Sequence, residues 1–280
     1  MILSPQQHTR MTPDFSHTTL GRTGIPVHRL GLSASYRPGP RAVARAVERG
    51  VNYFFGYGFD SQMTKSLRPL LAGNREKFVV ATGAYNLVVG YPDLRRSLEK
   101  RLRQFGTDYI DIFLFLGVMK PKEFPLRARD ELYRMREEGK VRFVGMSCHH
   151  RIFAGEMADE GGLDALMIRY NAAHRGAEVD IFPRCAGRNP GIVSYTATRW
   201  TYLLRRPKLW PREGRIPTAG ECYRFVLSNP SVHVALTAPK NVRELDENLD
   251  AIERGPLTED DAKFMRTFGD AVHHTKKWFM

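Results

Sequence analysis

Cysteine is scarce: Cys148, Cys185 and Cys222 are the only three in 280 residues, at wide and unrelated spacings. That excludes a disulfide framework and a cysteine-based zinc site, and it favours a reducing compartment. Long apolar runs are missing as well. No stretch is long enough to span a bilayer, and the opening MILSPQQHTRMTP lacks the apolar core of a secretory signal. Residues 1–18 read as a loose tail, and the expected location is the cytoplasm. Acidic residues are in deficit, 30 against 43 lysines and arginines, which leaves a net charge of +13. Such an excess suits nucleic acid, anionic lipid or a phosphorylated cofactor. The basic residues, however, are scattered over predicted helix faces among Glu and Asp, and the densest patches, 205–208 and 276–277, are short. They read as a solvated surface, so neither nucleic acid nor membrane is expected as a partner.

What is present is a regular alternation. Leu94, Leu98 and Leu102 recur at helical spacing, and Gly106 stops that helix. Residues 110–116 form a continuous apolar run of the kind found in strands buried on both faces. A helix over 126–138 ends at Gly139, and a strand follows over 141–146. Helices and strands in turn, with short glycine-marked turns, imply right-handed parallel crossover units. Further strands are expected at 51–55, 78–81, 163–171, 191–196 and 232–237, and helices at 41–48, 63–71 and 259–268. Thr218 and Glu221 form a capping-box pattern opening a helix through Leu227. Residues 19–32 read as a hairpin turning at Thr23-Gly24. Residues 200–217, rich in Pro, Arg and Trp without periodicity, read as a long loop.

The motifs GTDYID at 106–111, EGKVR at 138–142 and G-x-S at 145–147 occur in the order found in the aldo-keto reductases. The chain resembles that family over about 19–268. The resemblance implies an α/β fold, a (β/α)8 TIM barrel with an N-terminal β-hairpin closing its base. The length suits it, since such barrels take about 250 residues. The expected organisation is a tail over 1–18, one barrel over 19–270 and a second tail over 271–280.

The resemblance also implies a catalytic tetrad of Asp, Tyr, Lys and His, and here the chain departs from it. Phe55 stands at the Asp position, Gly83 at the Lys position and Leu116 at the His position. The Tyr position falls on Asp60 in an ungapped register, or on Tyr57 if the loop is shortened. A glycine cannot supply the charge that lowers a tyrosine's pKa. Candidate replacement acids are therefore Tyr57, Tyr85 and His149, the last just past a strand end, where barrel active sites form. Cys148, His149 and His150 lack a second ligand cluster, so no metal site is expected.

For the cofactor the resemblance implies NADP(H). Ser147 matches a serine that binds the nicotinamide carboxamide, whereas Cys148 and Met167 replace two further carboxamide contacts. Tyr195 matches the aromatic that lies on the nicotinamide ring, and Thr196 begins the pyrophosphate loop. The stretch APKNVRELDEN at 238–248 resembles the adenosine-phosphate grip. There Lys240 and Arg243 meet a 2′-phosphate, Asn241 adds hydrogen bonds, Glu247 and Asn248 meet the adenine, and Ala238 replaces a glycine. Arg175 and Glu178 match a helix start, a role that ordinary surface charges fill equally well. The implied function is an aldo-keto-reductase-like, NADP(H)-dependent oxidoreductase with a non-standard proton donor and a small, largely apolar substrate. The alternatives are an NADP(H)-binding pseudoenzyme, a sensor or interaction protein, or a non-redox lyase or isomerase reusing the pocket.

Overall fold

A computed structural model describes residues 14–58, 62–85 and 91–275. Eight parallel strands close a barrel: β3 (Leu30–Ser33), β4 (Tyr53–Phe55), β5 (Val79–Tyr85), β6 (Ile110–Val118), β7 (Val141–Cys148), β8 (Ala165–Arg169), β9 (Gly191–Tyr195) and β10 (Val234–Thr237). Neighbours pair in chain order, and β10 returns to β3 through Ala235↔Leu30, Leu236↔Gly31 and Thr237↔Leu32. Helices α1 (Pro40–Glu48), α2 (Gln62–Asn74), α3 (Leu94–Phe105), α4 (Leu126–Glu137) and α5 (Arg151–Glu160) cover the first strands. Two short turns, α6 (Ala177–Asp180) and α7 (Phe182–Cys185), then α8 (Ala219–Leu227), α9 (Val242–Glu253) and α10 (Glu259–Thr275), complete the outer layer. The expected (β/α)8 barrel is what the chain forms.

Alternation along each strand builds two cores. Tyr53, Phe55, Val79, Ala81, Ile112, Leu114, Leu116, Met167, Val193 and Leu236 point inward and fill the barrel. Phe54, Val80, Phe113, Phe115, Val144 and Ile168 point outward, beneath the helices. This explains why 110–116 reads as unbroken apolar sequence: both faces of β6 are buried. The antiparallel hairpin of β1 (His17–Thr19) and β2 (Pro26–His28) lies under the barrel, and Leu20, Ile25 and Val27 join the interior cluster as its plug.

The barrel floor holds two charged sockets. Asp111, fully buried, accepts from Arg75 at 2.6 Å, Arg142 at 2.7 Å and the Val80 N–H at 2.9 Å. Asp164 accepts from Arg22, Arg136 and the Val144 N–H, each at 3.0 Å. Each carboxylate thus ties two strands and two outer cations together. The second Asp of GTDYID, Asp111, is therefore an architectural residue.

Several boundaries differ from expectation. β5 runs on to Tyr85, and α5 has no counterpart among the expected helices. Its N-cap is His150, whose Nδ1 accepts the Phe153 N–H at 3.2 Å, a residue type outside the usual capping set. β1 begins at His17, inside the expected N-terminal tail, and α10 continues to Thr275, past the expected stop at 268. Gly269 looks like that stop. It is instead mid-helix, where α10 packs directly on the Ala172 carbonyl and no Cβ fits. Residues 1–13 and 276–280 lie outside the described residues. No helix among those described is long and apolar enough to cross a membrane.

Candidate active site

The C-terminal ends of the strands surround a cleft of about 880 Å³. Strand parity decides what enters it. Inward-facing residues near the strand ends, Ser33, Phe55, Leu116, Ser147, Met167, Tyr195 and Leu236, all line the cleft. Tyr57, Tyr85 and His149 line it from just beyond or at strand ends. Its deep end is mainly apolar and aromatic. Among the described lining residues the lysine and arginine are Lys240 and Arg243, both beside α9.

Three positions implied by the tetrad are located as follows. Phe55 and Leu116 are buried lining residues that present hydrocarbon to the cleft. Gly83 does not line the cleft. A Cβ there would run into the Leu114 carbonyl, with the Leu116 side chain at 2.9 Å. The main chain of β5 and β6 has thus closed over the place from which a lysine would extend. Asp60 lies outside the described residues.

Two side-chain pairs, one of hydroxyls and one of a hydroxyl with an imidazole, furnish the polar chemistry. The Tyr57 hydroxyl stands 2.5 Å from Ser35 Oγ, and Ser33 Oγ lies 3.3 Å beyond. The Tyr57 ring stacks on Phe55, centroids 5.0 Å apart at 22°, which fixes its aim. Tyr85 sits 6.0 Å from Tyr57 at the rim, and burial of its phenol, aided by Tyr57, pushes it up to about 12. The second pair is Tyr195 and His149, hydroxyl to Nδ1 3.2 Å. Burial and then the Arg169 charge lower the His149 pKa, so its imidazole is neutral at physiological pH. Burial also raises the Tyr195 phenol, which keeps it protonated.

The residues of the S-x-H stretch diverge. Cys148 points outward into the helix-covered core, donates to the His150 carbonyl at 3.3 Å, and burial pushes its thiol up to about 12. It therefore does not face the cleft. His150 caps α5, and His149 alone enters the cleft. Arg175 and Glu178 are structural: Arg175 pairs with Asp270 at 2.8 Å, and Glu178 accepts from Arg266 and, at 2.6 Å, from the Tyr170 hydroxyl.

At the other end of the cleft, Thr196 has a left-handed backbone (φ 59°) and Asn171 Nδ2 donates to its carbonyl at 2.9 Å. Thr196, Ala238, Lys240, Arg243, Glu247 and Asn248 all line the cleft. Asn241 does not; its Oδ1 accepts the Glu244 N–H and caps α9. The buried Asn248 amide donates to Thr237 Oγ1 at 3.2 Å. Sequence reasoning missed Ser33, Ser35, Trp200 and Glu244, all of which line the cleft. The S-x-S spacing at the end of β3 and the acid at 244 were the available signals.

The sequence model of the aldo/keto reductase family matches residues 39–208. The chain belongs to the aldo/keto reductase family. Among curated relatives it is 23% identical, over 85% of its own length and 91% of the other's, to the uncharacterized oxidoreductase YrpG of Bacillus subtilis. It is 25% identical to the NADH-specific methylglyoxal reductase of Escherichia coli, over 64% of this chain and 65% of that one. Among solved structures, aldo-keto reductase AKR11C1 from Bacillus halodurans in its holo form superposes with a TM-score of 0.76 at 19% identity, covering 91% of this chain and 97% of that one. This family member is thus an oxidoreductase homologue whose catalytic end is built largely from hydrocarbon and hydroxyl groups.

Proposed function

We propose that the chain is an aldo-keto-reductase-like oxidoreductase that binds a nicotinamide dinucleotide and reduces a small, largely apolar carbonyl compound, with Tyr57 as a non-standard proton donor. The observation that carries this reading is the Tyr57–Ser35 hydroxyl pair, 2.5 Å apart in the wall of the cleft, with the Tyr57 ring stacked on Phe55. The donor set fits the cofactor. An aromatic and a serine, Tyr195 and Ser147, line one end; Lys240, Arg243 and the first turn of α9 line the other. The sequence-based expectation of NADP(H) rests on Lys240 and Arg243.

A bound reduced nicotinamide supplies the hydride. The chain's own residues have the remaining tasks. Tyr195 provides a face for a planar ring, and its hydroxyl is held by His149. Phe55, Leu116 and Met167 exclude water and favour an apolar substrate. Tyr57 donates its proton to the developing alkoxide, and Ser35, with Ser33 behind it, hydrogen-bonds the phenolate oxygen left behind. Tyr85 is a poorer donor with its phenol near 12, and neutral His149 is shared with Tyr195. With Gly83 where the tetrad lysine is expected, this arrangement suits α,β-unsaturated carbonyls, in which hydride added at the β-carbon leaves a delocalised enolate that takes the Tyr57 proton in place of an alkoxide.

The test is titration of the protein with each reduced dinucleotide by fluorescence, followed by oxidation assays with simple aldehydes and conjugated ketones. Binding, slow aldehyde turnover and faster conjugated turnover support the proposal; failure to bind either dinucleotide, or brisk turnover of ordinary aldehydes, overturns it. A binding-only role is favoured by the closed backbone at Gly83, and dinucleotide binding without turnover of any carbonyl would establish it.

A further inference from the structure

We infer that Glu244 makes the cleft select NADH over NADPH, by placing a carboxylate where the 2′-phosphate would have to lie. The inference rests on the cleft being a dinucleotide site. Lys240 and Arg243, taken alone, point to the phosphorylated form; their surroundings reverse that. Glu244 lines the cleft, and its Oε2 accepts the Lys240 N–H at 2.9 Å. The Glu244 N–H is itself taken by Asn241 Oδ1 at 2.9 Å. Two donors that a phosphate at this helix start would use are thus already engaged. The cations are balanced as well. Arg243 Nε stands 3.7 Å from Glu247 Oε1, and Lys240 Nζ lies 6.0 Å from the centroid of the Tyr36 ring.

Two cations and two carboxylates therefore share one wall of the cleft, with no net charge to attract a dianion. A 2′-phosphate reaching for the Lys240 N–H meets Glu244 at contact distance. Ribose hydroxyls, in contrast, donate to a carboxylate, the same rule by which an acidic residue marks NAD sites and an arginine NADP sites in other dinucleotide folds. An acid in the first turn of a helix also stabilises that helix. This accounts for its charge near the helix start, and replacement by glutamine separates the two roles, since the amide oxygen still accepts the Lys240 N–H.

The experiment is fluorescence titration of the full chain with NADH and NADPH at matched ionic strength, for the unmodified protein and Glu244→Gln. NADH should bind about tenfold or more tighter, and Glu244→Gln should narrow the ratio by about tenfold, mainly by tightening NADPH. Salt gives a second readout on the unmodified protein: screening a repulsion narrows the gap, whereas screening an attraction to Lys240 and Arg243 weakens NADPH. Equal or tighter NADPH binding, or a ratio indifferent to Glu244→Gln and to salt, overturns the inference and leaves the cleft a dinucleotide site. Binding of neither overturns both.

Discussion

The two ends of the barrel handle charge in opposite ways. At the floor, Asp111 and Asp164 are each surrounded by two arginines and a strand N–H, so every ionic group taken from water is repaid by hydrogen bonds. At the mouth, Phe55 and Leu116 present hydrocarbon beside the Tyr57–Ser35 hydroxyls and the neutral His149 imidazole, and the charged lining residues, Lys240, Arg243, Glu244 and Glu247, gather at the start of α9. Buried charge serves assembly below, whereas the charge above is confined to one wall of the cleft. Substitutions at the floor should therefore cost stability, and those at the mouth should cost rate.

The contrast breaks most readily at Asp111. Asp111→Ala leaves Arg75 and Arg142 facing a vacated socket and should destabilise the fold by about 3–5 kcal/mol, read as a lower denaturant midpoint. A loss below about 1 kcal/mol would mean that the floor sockets are ordinary surface pairs. At the mouth, Tyr57→Phe should lower turnover of a conjugated carbonyl about 10²-fold or more while moving the denaturation midpoint little. Equal activity in that variant would transfer the donor role to Tyr85 or His149, which Tyr85→Phe and His149→Ala would rank.

The floor also predicts a pH response. His28 and His233 each accept a strand N–H at Nδ1, from Leu30 and Ile192, both at 3.0 Å. Burial lowers both pKa values to about 4 from an ordinary 6.5. The unfolded chain thus takes up protons below pH 6.5 that the folded chain refuses until about pH 4. Stability is fully present above 6.5 and falls as the pH drops through that window, by at most about 2.7 kcal/mol per pH unit for the two together. Urea melts from pH 7 to 4 measure the slope, and His28→Gln should reduce it; a flat profile would show that these rings titrate normally. The smallest effect concerns Gly83. Gly83→Ala should cost about 1–3 kcal/mol because the new methyl meets the Leu114 carbonyl. For the same reason Gly83→Lys should not rescue aldehyde reduction. A stable, active lysine variant would show that the mouth can still be recharged.

Much of the fold was legible because burial leaves a pattern. The run at 110–116 marks a strand covered on both sides, and Leu94, Leu98 and Leu102 mark a helix covered on one. Residues that break a local rule hid the rest. The expected helix end at 268 is overrun because Gly269 sits mid-helix in close approach to Ala172, and α5, with the unusual cap His150, went unexpected. At the site, strand parity brings Ser147, Met167 and Tyr195 to the cleft. Partnerships were not legible. Ser35 meets Tyr57 across 22 residues, and Glu244 reaches back to Lys240 only because α9 begins between them. Side-chain pairing across loops depends on backbone directions that no local pattern encodes.

Closure of β10 onto β3 also sets a schedule for the growing chain. Leu30 to Leu32 find their partners only when Ala235 to Thr237 exist, so one edge of β3 stays open until nearly the whole barrel has been synthesised. The plug made by Leu20, Ile25 and Val27 has no complete seat before then either. The first barrel segments to be made are thus among the last to be satisfied, an ordering that slows folding and leaves a sticky strand edge exposed to neighbouring nascent chains.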